Sequence, residues 1–149
     1  MDSFQKTSDT TATFQCGEQH ANGFGGLHGG VQAILMEYLG QSVAQNELSK
    51  FHLNSNNSNS SSSSSSDMVV ECERLQISYQ SSATRVLELR AHIMEPPRFG
   101  HPSVTLRIEI LRSSNKKSQK DSRNKPVVVV SEGILTFAST ASLMKAKEQ

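Results

Sequence analysis

Residues 20–40, HANGFGGLHGGVQAILMEYLG, bring together residue types that can act on a carbonyl group. Gly29 and Gly30 stand where an apolar helix begins. Backbone amides at a helix start carry partial positive charge, and glycine lets a carbonyl oxygen approach them closely. Glu37 is the one acid of this run, set among Ile34, Leu35, Met36 and Leu39. A carboxylate there can draw a proton from water, or can itself attack and form a transient anhydride. Together these features point to hydrolysis of an activated acyl compound. Each also has a plainer reading. The glycines would allow close backbone packing. An unpaired buried carboxylate is costly, so Glu37 would otherwise need an ion-pair partner such as Arg74 or Arg90. Asn22, in an Asn-Gly pair, is a common turn residue, and His28 is placed either to hold the loop or to touch a reacting group.

Spacing constrains how the two parts could cooperate. Gly29 and Glu37 are eight residues apart, which is roughly 12 Å along a helix. A base must sit within about 3 to 4 Å of the water it activates, directly against the carbonyl. One chain cannot easily meet that requirement. Two antiparallel copies of the helix side by side would place Gly29 of one near Glu37 of the other, so the spacing predicts a site shared across a two-fold dimer.

The elements that must position these residues are an apolar helix and a set of strands. Thr11 to Cys16 reads as a short strand, and a glycine-rich loop over 17–27 follows it. The helix opens at Gly29 and Gly30 and is expected to run to about Leu48. From Val31 to Ala44 Glu37 is its only charge, so burial on most sides is expected. Val70–Tyr79, Val86–Met94 and Val104–Leu111 alternate apolar and polar residues with the period of a strand. The run from Pro126 to Ala138 opens with four valines, which favour a strand. Short links between the strands suggest a four-strand antiparallel meander. The fold class is therefore α+β, with one antiparallel sheet curled around one central helix.

Composition limits the rest. The chain has 149 residues, with 15 basic and 14 acidic side chains and a net charge of +1. That balance provides no strong field for nucleic acid or membrane, and the cluster Lys116, Lys117, Lys120, Arg123 and Lys125 reads as a solvated loop. Residues 1–10 read as a disordered start and 141–149 as a tail. The domain lies between them at 11–140, interrupted by a Ser/Asn-rich insert at 54–66 and a polar loop at 113–125. The insert has no apolar side chain to offset the entropy of ordering it. Cys16 and Cys72 have neither metal nor disulfide spacing, no histidine has ligand spacing, and no metal is expected. A reduced, cytoplasmic compartment is the simpler reading, with organelle targeting left open.

Asn22, the LHGG of residues 27–30 and an acid seven residues past Gly30 together resemble the hotdog-fold thioesterases, of the phenylacetate-pathway and human thioesterase-superfamily-member-2 type. The resemblance spans about residues 11–138 and includes the strand LQISYQSSA at 75–83. It implies a hotdog fold and hydrolysis of acyl-CoA to free acid and coenzyme A. It requires no cofactor beyond the coenzyme A of the substrate. It also implies a homodimer with shared sites, assembling further to a homotetramer. In that scheme Asn22, Gly29, Gly30 and His28 hold the thioester or the water and Glu37 acts as base. Arg98 and His101, with the segment at Tyr79, contact coenzyme A. Two departures stand out: Glu37 where the family usually has Asp, and Cys72 where it often has Ser or Thr. Together with the short segment before Asn22, they support the alternative of a non-catalytic acyl-CoA-binding or scaffold protein. A dehydratase would need an Asp/His or His/Glu pair that the sequence lacks.

Overall fold

In a computed structural model of the chain, residues 3–55, 68–82, 86–113 and 127–139 are described. Most of the Ser/Asn-rich insert expected at 54–66, most of the polar loop with its basic cluster, and the tail lie outside them; the insert's first two residues, Asn54 and Ser55, instead end the long helix. Among the described residues there are six strands, one long helix and a short 3-10 turn at Glu18–His20. The strands and the long helix are β1 (Phe4–Lys6), β2 (Thr11–Gln15), α1 (Gly29–Ser55), β3 (Val70–Tyr79), β4 (Val86–Glu95), β5 (Ser103–Ser113) and β6 (Val127–Ser139). Every strand pairing is antiparallel, and the sheet order is β1-β2-β4-β5-β6-β3.

The α+β expectation holds, but the meander does not run as its links suggested. Strands β3 and β4 are not neighbours, because β3 pairs with β6 and β4 lies between β2 and β5. Burial explains the choice. Leu87, Leu89 and Ala91 of β4 are buried, as a central strand requires. In contrast β3 carries Glu71, Glu73 and Arg74, all exposed, and charge is what a sheet edge tolerates. The first residues, read as disordered through residue 10, instead carry β1, which pairs with β2 in the register Phe4↔Phe14 to Lys6↔Ala12.

Helix α1 runs past the expected end at Leu48 to Ser55. No glycine or proline interrupts residues 49–55, and Glu47 pairs with Lys50 at 2.8 Å across the turn where a stop was expected. Its inner face, Leu35, Met36, Leu39, Val43 and Leu48, packs on Leu106, Ile108, Leu135 and Phe137 of the sheet to form one core. Two glycines set how closely helix and sheet meet. A Cβ on Gly40 would lie 2.7 Å from the Phe137 ring, and one on Gly133 would lie 2.6 Å from Met36 Sδ.

The expectation that α1 is buried on most sides fails within a single chain. Ile34, Glu37, Tyr38, Gln41 and Gln45 form an exposed stripe along it. The stripe lies in the gap between the two edges of the curled sheet. On one side Phe4 of β1 meets Tyr38 edge to face, with ring centroids 5.0 Å apart. On the other, Gln41 Nε2 donates to the Val70 carbonyl of β3 at 3.2 Å.

Candidate functional site

The loop into α1 builds the mouth of the helix. Asn22 Oδ1 accepts from the amides of Phe24 at 3.0 Å and Gly26 at 3.1 Å. Its own amide donates to the Gly26 carbonyl at 2.7 Å, and Gly25 closes the turn with φ +77°, a left-handed conformation that glycine adopts freely. The turn-residue reading of Asn22 is therefore correct. It does not use up the side chain, since no acceptor among the described residues takes the Nδ2 donors. His20 anchors the start of this loop. Its Nδ1 accepts from the Gly17 amide at 2.8 Å, its carbonyl from the His28 amide at 2.9 Å, and its ring meets Phe14 edge to face.

His28 caps the helix. Its Nδ1 accepts the Gly30 amide at 3.0 Å and its carbonyl accepts the Gln32 amide at 3.1 Å. Of the expected carbonyl-binding pair, the Gly30 amide thus has a side-chain acceptor within the chain. The Gly29 amide has none among the described residues. Among the described residues the first turn therefore leaves the Gly29 and Val31 amides without an acceptor, with Gly29 foremost at the mouth. Tyr79 reaches this mouth from β3. Its hydroxyl donates to the Gly29 carbonyl at 3.1 Å, and a Cβ on Gly29 would lie 3.3 Å from its ring. Glycine at position 29 thus serves the packing of Tyr79 as well as open access to the amide.

Glu37 is two helical turns further on. The burial expected for it is absent in the single chain: it is exposed, and no ion pair joins it among the described residues. The structural ion-pair reading also fails for Arg90, which pairs with Glu88 at 2.7 Å. Cys72 of β3 is the neighbour whose electrostatics Glu37 affects. Partial burial pushes the Cys72 thiol up from its ordinary value, and the Glu37 carboxylate adds to that, against an opposing backbone contact at Arg74. A thiol held protonated is a poor nucleophile. Its hydrogen is directed to the Arg74 carbonyl at 3.3 Å, at the bulge between Cys72 and Arg74.

Arg98 and His101 face each other across the β4–β5 turn through two backbone hydrogen bonds, of 3.1 and 2.9 Å. With Glu95, Pro96 and Ser103 they line a shallow cleft of about 260 Å³. The structure does not bring them to the mouth of their own chain. Ser103 and Ala138 are aligned with the Val70 end of β3, whereas Tyr79 is opposite Ser131 at the other end. The length of β3 separates the two, roughly 30 Å at strand rise. Gln32 escaped the reading from sequence. It is buried, and its Nε2 donates to the Leu27 carbonyl at 3.1 Å, tying loop to helix. The lone polar residue facing away from Glu37 was its only signal. Among the described residues no three metal-ligating side chains cluster, and no helix is long and apolar enough to cross a membrane.

A sheet curled around one long helix occurs in solved structures. A Streptococcus mutans protein, smu.793, solved bound to acetyl-CoA, is 14% identical with a TM-score of 0.59, over 91% of this chain and 87% of that one. A Staphylococcus aureus thioesterase, SAV0944, is 16% identical with a TM-score of 0.61, over 92% and 91%. HI0827, described as a hexameric broad-specificity acyl-coenzyme A thioesterase, is 12% identical with a TM-score of 0.57, over 85% and 75%. The chain has the hotdog fold. No family model matches its sequence, and no curated protein is similar to it in sequence.

Proposed function

We propose that this hotdog chain is an acyl-CoA thioesterase whose sites are each completed by two copies. The observation that carries the reading is the division of labour along α1. Among the described residues, an amide without an acceptor stands at the Gly29 mouth, and a carboxylate without a partner stands roughly 12 Å away at Glu37. In an antiparallel pair of helices, Gly29 and Asn22 of one copy hold the thioester carbonyl beside Glu37 of the other. Glu37 takes a proton from water as the water oxygen attacks the carbonyl carbon. Charge developing on the carbonyl oxygen meets the Gly29 amide, where the helix start is most positive. The C–S bond then breaks, the thiolate leaves without a strong acid, and the free acid and coenzyme A are released.

The surface supports pairing. Strand β3 is a ten-residue edge whose outer side pairs with no strand among the described residues, and long bare edges invite a partner strand. Leu75, Tyr79, Ile34 and Tyr38 are exposed along β3 and the open helix face. Assembly beyond the dimer to a tetramer belongs to the same proposal. So does a coenzyme A contact at Arg98 and His101, serving the mouth of another copy, and so does a reducing, cytoplasmic setting for the free thiols Cys16 and Cys72. The names of the fold neighbours add weight: several are called thioesterases, and one was solved with acetyl-CoA.

One observation favours the second reading, a binding or scaffold protein without turnover. Cys72 gives its hydrogen to a backbone carbonyl, so it does not steady Glu37 as a hydroxyl would. A thiol-release assay over short-chain, long-chain and aryl acyl-CoA esters decides between the two. Turnover that Glu37→Ala abolishes supports the enzyme. Turnover undiminished in that variant removes Glu37 from the mechanism, and ester binding without release of thiol favours the scaffold.

A further inference from the structure

A cleft of about 370 Å³ opens between β1 and α1, beside the exposed stripe that carries Glu37. One wall is aromatic: Phe4 and Tyr38, which meet edge to face. The helix adds the polar side chains of Gln41, Ser42 and Gln45, with the buried Leu39 also lining the cleft. Lys6 of β1 stands at the rim and donates to Ser42 Oγ at 2.8 Å. No carboxylate among the described residues pairs with that ammonium group. A pocket made for a plain hydrocarbon tail would line its far end with apolar side chains. Here the cleft begins apolar at Tyr38 and ends in a cation, a hydroxyl and two amides.

We infer that this cleft receives the acyl group, and that the acyl group it fits ends in a carboxylate, as in a monothioester of a dicarboxylic acid. The inference rests on the reading above, which puts the thioester carbon at Glu37. From Glu37 to Ser42 the helix advances roughly 8 Å, the span of roughly six carbons of an extended acyl chain. The methylene body lies against Phe4 and Tyr38. The terminal carboxylate meets the Lys6 ammonium with Ser42 and Gln45 beside it, a charge-assisted contact that a methyl end cannot make.

Binding tests the cleft independently of turnover. Two coenzyme A thioethers that cannot be hydrolysed are compared, each with a chain of that length, one ending in carboxylate and one in methyl. The native protein is expected to bind the carboxylate-ended analogue about five-fold more tightly at low salt, the scale of an exposed ion pair. The preference should shrink as salt rises. It should vanish in Lys6→Met and invert in Lys6→Glu. Equal binding of the two analogues by the native protein overturns the proposal, as does a preference that survives Lys6→Glu. If the preference is found but neither matching thioester is hydrolysed, the cleft assignment stands and the hydrolase reading falls. If both thioesters are hydrolysed but the analogues bind equally, the cleft assignment falls and the hydrolase reading stands.

Discussion

The loop that leads into α1 is held by its own hydrogen bonds, whereas the helix face around Glu37 has few. At the mouth, Asn22 Oδ1 takes two amides, His28 caps Gly30, Tyr79 holds the Gly29 carbonyl and Gln32 ties Leu27. Around Glu37 the stripe from Ile34 to Gln45 is exposed, and among the described residues its ties to the sheet edges are Tyr38 on Phe4, Gln41 on Val70 and, next to it, Ser42 on Lys6. A rigid donor site gains from preorganisation, because its dipoles need not move when charge develops. A bare carboxylate flanked by apolar side chains gains nothing by itself. The contrast makes sense if the two regions are complementary halves and the second becomes ordered only against another copy.

The largest expected effect separates the halves by kind of damage. Glu37→Gln removes the base but no internal hydrogen bond. Turnover should fall roughly a hundred- to ten-thousand-fold, with the thermal midpoint of the chain unchanged. A large drop in that midpoint would mean that Glu37 is structural after all, and the contrast would collapse.

Mixing the halves gives the next largest signal. Glu37→Gln and Asn22→Ala chains should each be nearly inactive alone. After co-refolding, half of the dimers are mixed, and each mixed dimer keeps one intact site out of two. Activity should return to about a quarter of the native value if two-fold pairing builds each site from both copies. No recovery, with mixed dimers shown to have formed, would place Asn22 and Glu37 in one chain's site.

Much of the helix and strand content was legible before the structure, because it rests on local periodicity. Leu87, Leu89 and Ala91, or Leu106, Ile108 and Ile110, alternate regardless of what lies beyond them, and all are buried. What escaped was non-local. The place of β3 at the sheet edge depends on competition among strands for the centre, which the short link after Tyr79 disguised. The β1 strand rests on Phe4 docking against Tyr38, 34 residues away in the chain, and composition alone reads its surroundings as disordered. In the site, residue types marked Asn22, Gly29 and Glu37, but not the division between Gly29 and Gly30. That division depends on a histidine rotamer that places Nδ1 over Gly30.

At the mouth, capping makes a smaller prediction of the opposite kind. His28→Ala should cost about 1 kcal/mol of stability by orphaning the Gly30 amide, read as a lowered denaturant midpoint. His28→Asn, which keeps a side-chain acceptor at the cap position, should recover most of it. If His28 served only the substrate, neither variant would move the midpoint.

The smallest effect expected lies at Cys72, next to the unheld half. Its thiol is raised above the ordinary 9.0, by burial first and by Glu37 second. The sign of the consequence follows from proton counting. Above about pH 9 the unfolded chain releases this proton while the folded chain still holds it, so stability falls as pH rises through that window. Cys16 is raised by burial as well, so each thiol should contribute to the alkaline loss. Cys72→Ser and Cys16→Ser should each flatten part of the alkaline limb of a midpoint-against-pH curve. Glu37→Gln should flatten part of the Cys72 share and leave the Cys16 share alone, since the carboxylate acts on Cys72. An alkaline limb that does not change in Glu37→Gln would mean that the acid and the thiol do not sense each other. The open half would then lack the electrostatic contact that Cys72 provides for it.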